Sequence, residues 1–113
     1  MRDLAPSIYR QRLMIEGVYT IPVDADTIRG YLIGLSDVCD MSMLNDPVVD
    51  WSPAGRWAGW VHWDASGAQV HAWVSPVRFF SADVYTCKSF DVATVAAYTG
   101  KLFDAAQFVA RSY

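Results

Sequence analysis

Residues 12–20, Arg-Leu-Met-Ile-Glu-Gly-Val-Tyr-Thr, are rich in β-prone side chains and stop just before Pro22, which predicts a first strand. Asp24 or Asp26 then caps a helix, because a short carboxylate accepts hydrogen bonds from the free amides of a first turn, and Ile28, Tyr31, Leu32 and Leu35 recur at helical spacing. The helical pattern fades near Val38 to Asp40. Residues 41–55 contain two prolines, Asn45-Asp46 and a terminal Gly55, and read as an irregular connection. Three strand-like runs follow at 57–63, 68–74 and 79–87, separated by Asp64-Ala-Ser-Gly67 and Ser75-Pro-Val-Arg78, so two consecutive hairpins are expected. Asp91 opens a second helix with an apolar stripe of Val92, Val95, Leu102, Phe103 and Ala106. The predicted order is βαβββα. It implies an α/β fold of the α+β sandwich kind, an antiparallel sheet of about four strands with two helices on one face.

Alternation within the strands separates two faces. Val70, Ala72 and Val74 share one with Phe80, Ala82 and Val84, and the helices are expected to cover it. The other carries Gln69, His71 and Trp73 beside Ser81, Asp83, Tyr85 and Cys87. That set is too aromatic to be left in water and too polar for a dry core, so it is expected to meet another subunit, a ligand, or both.

Composition narrows the setting. With 113 residues and 53% hydrophobic positions the chain is expected to form a single domain over 1–113, an N-terminal arm at 1–11 followed by the sandwich at 12–110. A net charge of -3 argues against a phosphate-binding basic face, so no nucleic-acid partner is expected. No apolar stretch approaches the roughly 18–20 residues of a membrane span and no secretory leader is visible, so a cytoplasmic protein with no membrane partner is expected. Cys39 and Cys87 form no CxxC pair, which fits reduced thiols, and no metal site is expected. Trp51, Trp57, Trp60 and Trp63 fall within thirteen positions. Core filling explains such a cluster, and so does a site for a flat ligand or a partner subunit.

Three pieces occur in order: Trp51-Ser-Pro-Ala-Gly55, Ser66-Gly-Ala-Gln-Val-His71 and Asp83-Val-Tyr-Thr-Cys87, with Asp91 at the following helix start. Together they resemble the small prokaryotic S-adenosylmethionine decarboxylases, whose characteristic stretch runs from a Phe-Glu-Pro-Gln-Gly-like loop through a Ser-His-x-x-Ile-His strand to an Asp-x-Tyr/Phe-Thr-Cys strand. The resemblance covers roughly residues 12–108. It implies that Trp51 stands where an aromatic stacks on the adenine of S-adenosylmethionine. It further implies that Ser66 is the serine converted by backbone self-cleavage into a pyruvoyl cofactor, that His71 assists, and that Cys87 supplies a proton. Trp51 read without the resemblance is a plug at the core edge, and Cys87 a small buried hydrophobe.

Some positions depart from that pattern. The family's glutamate before the serine and histidine after it are here Ala65 and Gly67. Its His-x-x-Pro-Glu continuation, whose carboxylate binds the ribose, is here His71-Ala-Trp-Val-Ser-Pro76, with one residue inserted and no glutamate. These losses favour an intact chain with no cofactor. S-adenosylmethionine is a sulfonium with an activated leaving group, and attack of its own carboxylate on the γ-carbon gives methylthioadenosine and homoserine lactone. Catalysis then needs only a folded substrate and excluded water. Phage S-adenosylmethionine lyases, trimers with sites between subunits, supply the analogy. On this reading Gln69, His71, Tyr85, Ser66 and Cys87 form the catalytic set, while Trp51, Glu16, Asp46, Asp83 and Ser81 bind substrate; Glu16 and Asp46 are candidates for the α-amino group. The chain is expected to self-associate as a trimer or dimer with sites at subunit interfaces. The alternatives are a pyruvoyl-dependent decarboxylase of polyamine synthesis and a noncatalytic nucleoside-binding or interaction module. His62 is read as structural or exposed.

Overall fold

The computed structural model describes residues 2–113. The first strand, β1 (Gln11–Val18), turns Leu13, Ile15 and Gly17 inward and Arg12, Met14, Glu16 and Val18 outward. Helix α1 (Ala25–Val38) starts at Asp24, whose side chain accepts from the Thr27 amide at 2.9 Å while the Asp24 amide donates to the Thr27 hydroxyl at 3.3 Å. This reciprocal cap leaves Asp26 as an uninvolved first-turn acid and settles which aspartate begins the helix. Next come β2 (Val48–Ser52), β3 (Arg56–Trp63), β4 (Ser66–Trp73), β5 (Phe79–Thr86), α2 (Val92–Leu102) and β6 (Gln107–Ser112).

Among the described residues these strands form one sheet in the order β2-β3-β4-β5-β1-β6, with every neighbouring pair antiparallel. Both helices lie on one face. Their apolar stripes, Ile28, Tyr31, Leu32 and Leu35 from α1 and Val95 from α2, are buried with Val61, Trp63, Val70, Ala72, Phe80, Ala82 and Val84. Phe103 closes this layer with its ring stacked on Phe80, centroids 4.3 Å apart. Polar atoms in the layer are paired: Tyr31 Oη meets Thr99 Oγ1 at 3.0 Å, and the Trp63 indole N–H donates to Ser36 Oγ at 2.9 Å. Trp63 is therefore a core residue with a satisfied N–H.

The sandwich with helices on one face matches the expectation, but the sheet has six strands and not about four, and the order is βαββββαβ. The segment 41–55 is not wholly irregular. Between Pro47 and Pro53, Val48–Ser52 pairs with β3, because its β-branched and aromatic residues extend an otherwise open edge. The second helix does not reach Ala106. Asp104 takes a left-handed φ of 46°, the chain reverses, and Phe108 lands over Gly17 and Gly100, where a Cβ on either glycine would approach it to 2.7 Å and 2.6 Å. The hairpin between β3 and β4 is also tighter than expected: Trp63 pairs directly with Ser66, and only Asp64-Ala65 forms the turn. Val74 lies past the end of β4 and is 38% exposed, so it leaves the core set.

Candidate functional site

The antiparallel register places the outward side chains in rows running across the strands. One row holds Ala58, His71, Ser81 and Glu16. In it the Ser81 hydroxyl donates to Glu16 Oε2 at 2.8 Å, and His71 is the cross-strand neighbour of Ser81 on its other side. The next row holds Trp60, Gln69, Asp83 and Met14, and the one beyond it His62, Gly67, Tyr85 and Arg12. Six of the candidate residues, Glu16, Gln69, His71, Ser81, Asp83 and Tyr85, thus share the face away from the helices. Rings surround them: His71 lies 5.9 Å from Trp73, Trp73 5.6 Å from Phe79, and Trp60 4.5 Å from His62, centroid to centroid. Arg56 sits over Trp73 with its guanidinium carbon 5.7 Å from the ring centroid.

Ser66 and Cys87 are brought together elsewhere, at the end of the sheet. The Cys87 amide donates to Ser66 Oγ at 2.9 Å, and the Cys87 thiol points to the Asp64 carbonyl at 3.5 Å. Ala65, just before Ser66 in the turn, holds a left-handed φ of 51°, a region disfavoured for a side chain with a Cβ. Ser66 and His71 are five positions apart on one strand, about 16 Å at the rise of a β-strand, and alternation puts them on opposite faces. Cys87 is exposed and free; Cys39, the other free cysteine, is buried, and burial pushes its thiol up to about 11.

Trp51 is a residue of β2, not of a loop. Its register partner is Trp57, and the rings meet at 4.9 Å with a tilt of 57°. With Val23 and Val74 they line an open cleft of about 460 Å³ on the helix side of the sheet edge. Asp46 lies in the connection before β2, where its carboxylate is 3.7 Å from the Arg29 guanidinium of α1. Neither shares the face of His71, so one chain does not gather the ten candidates into a single pocket. Sequence reasoning also passed over Arg12, whose guanidinium carbon stands 4.9 Å from the centroid of the Tyr85 ring. Its parity with Glu16 in β1 was the available signal. Among the described residues no three His, Cys, Asp or Glu side chains converge as a metal site, and no helix is long and apolar enough to cross a membrane.

The family model for S-adenosylmethionine decarboxylase matches residues 17–113. The chain belongs to that family. The fold agrees with the crystal structure of the adenosylmethionine decarboxylase from Aquifex aeolicus, with a TM-score of 0.71 at 16% identity over 94% of this chain and 89% of that one. The Trypanosoma brucei AdoMetDC-delta26 monomer aligns with a TM-score of 0.58 at 17% identity, over 89% of this chain but 44% of that longer one. A search of curated proteins finds no match. That membership points to an enzyme acting on S-adenosylmethionine.

Proposed function

We propose that the chain decarboxylates S-adenosylmethionine, with Ser66 as the source of a pyruvoyl group. The observation that carries this reading is the Ser66–Cys87 contact. The two residues that the resemblance assigns to cofactor formation and proton supply are far apart in sequence, yet the Cys87 amide reaches Ser66 Oγ at 2.9 Å. An amide aimed at that oxygen favours negative charge on it, and the turn holding Ala65 at φ 51° presents the bond before Ser66 at the surface of the sheet end. These features fit a serine-derived group. When formed, a pyruvoyl group supplies the electron sink for the pair left by the departing carboxylate.

The remaining roles belong to the chain's own side chains. Cys87, exposed beside Ser66, holds a thiol proton for the α-carbon that loses carbon dioxide. Trp51, backed by Trp57, offers a ring face to adenine. Glu16 and Ser81, joined by a hydrogen bond, share a cross-strand row with His71. Because the Ser66–Cys87 end and the Trp51 cleft are separate on one chain, a complete site draws on two copies, and the aromatic outer face supplies a surface for such association.

A second reading, the cofactor-free lyase that releases methylthioadenosine and homoserine lactone, is favoured by one observation: Ser66 is flanked by Ala65 and Gly67, neither of which offers an acid or base. Intact mass separates the two. Decarboxylation through Ser66 requires two fragments meeting between Ala65 and Ser66, the second without an ordinary amino terminus; a whole chain that makes methylthioadenosine establishes the lyase.

A further inference from the structure

Among the described residues three that are not glycine have a positive φ: Asp40 at 55°, Ala65 at 51° and Asp104 at 46°. The two aspartates stand just past the ends of α1 and α2, where a short polar side chain tolerates the left-handed conformation. Ala65 has no such side chain. It is the second residue of the Asp64-Ala65 turn, a position with positive φ that hairpins ordinarily fill with glycine or asparagine. Nor does its methyl group gain from packing, because Ala65 is exposed. The glycine of this segment lies two positions later, where a Cβ on Gly67 would stand 2.8 Å from the Val61 carbonyl.

The turn is held on both sides of Ala65. Before it, Trp63 is buried and its indole N–H donates to Ser36 Oγ at 2.9 Å. After it, Ser66 pairs with Trp63 across the hairpin, and its Oγ accepts from the Cys87 amide at 2.9 Å. The Cys87 thiol meets the Asp64 carbonyl at 3.5 Å. A disfavoured backbone conformation persists where its surroundings leave the residue no alternative, and such positions cluster at functional sites. Ala65 also supplies the carbonyl of the peptide bond to Ser66.

We infer that the left-handed conformation of Ala65 promotes cleavage of the Ala65–Ser66 bond, which makes Ala65 a positioning residue for self-processing; the inference rests on the proposed function. In that reaction the Ser66 hydroxyl oxygen adds to the Ala65 carbonyl carbon, the C–N bond breaks, and the hydroxyl proton passes to the Ser66 nitrogen, leaving an ester. Loss of the Ser66 α-proton with rupture of the Cβ–O bond frees the Ala65 carboxylate. The dehydroalanine left at position 66 takes up water and releases ammonia, giving the pyruvoyl group. Once the C–N bond is broken the hairpin no longer closes through Ala65, which becomes a chain end free to leave the left-handed region. The conformational cost is thus present in the intact chain and absent after cleavage, and its release as the C–N bond lengthens speeds the step.

Intact mass of the full chain, sampled over time after cell-free synthesis, tests the inference. Ala65→Gly and Ala65→Asn remove the conformational cost and should each cleave roughly fivefold or more slowly than the parent. In a Ser66→Ala background, which cannot cleave, the same two changes should raise the melting temperature, a combination that a damaged turn does not produce. Cleavage of both variants at the parental rate would overturn the inference and leave the proposed function standing. Slower cleavage accompanied by a lower melting temperature would also overturn it, because the turn itself would then be damaged. A parent chain that stays whole would remove the proposed function and the inference with it.

Discussion

Individual residues carry the sharpest consequences. Trp51 is 47% exposed, so its truncation leaves the core intact while removing a ring face from the edge cleft. Trp51→Ala should weaken methylthioadenosine binding by about 1–3 kcal/mol, the scale of one base–aromatic stack, with little change in melting temperature. Titration beside a melting curve checks both parts; a core plug would instead lose roughly 3–5 kcal/mol of stability. A second residue-scale effect concerns alkaline pH. Burial pushes the Cys39 thiol from an ordinary 9.0 up to about 11 and the Tyr98 hydroxyl from 10.0 up to about 12, and it also raises Tyr31. The unfolded chain releases these protons first, so the stability present below pH 9 should be lost progressively between about pH 9 and 12. Melting temperatures across that window test this, and a flat profile would mean that the three groups are better solvated than their burial implies.

At the scale of elements, packing of α1 against the sheet depends on a missing side chain. A Cβ on Gly59 of β3 would come within 2.5 Å of Ile28 Cγ2 and 3.0 Å of Leu32 Cδ1. Gly59→Ala should therefore push the helix off β3 and cost about 1–3 kcal/mol in denaturant unfolding; an unchanged midpoint would show that α1 shifts freely. The parts of the fold legible in the sequence were those with strong local periodicity. The alternation in β4 and β5 predicted which face Gln69, His71, Ser81, Asp83 and Tyr85 occupy, and the cap and stripe of α1 predicted its ends closely. The two edge strands were not legible. Val48–Ser52 is short and enclosed by prolines, and Gln107–Ser112 becomes a strand through a tertiary contact, Phe108 over Gly17 and Gly100, that no local pattern announces. Within the candidate site, the Ser66–Cys87 contact followed from the resemblance. The isolation of Trp51 and Asp46 from the outer face did not, because it depends on which side of a strand each residue falls and on where β2 joins the sheet.

The molecule as a whole presents two candidate partial sites, the Ser66–Cys87 end and the Trp51 cleft, and an outer face carrying Trp60, Trp73, Phe79 and Tyr85, of which Trp60 and Tyr85 are 38% and 37% exposed. A site that unites the Ser66–Cys87 end with a Trp51 cleft requires a second copy, so light scattering at micromolar concentration should report a homo-oligomer, and a stable monomer would leave the partial sites unjoined. The chain belongs to the S-adenosylmethionine decarboxylase family, and the proposed chemistry turns on a single peptide bond, the one between Ala65 and Ser66. The most direct measurement is the intact mass of the purified full-length chain. Cleavage at that bond, with a blocked second fragment that Ser66→Ala abolishes, is the predicted result. One uncut mass, with the serine unchanged and S-adenosylmethionine still consumed, would contradict it.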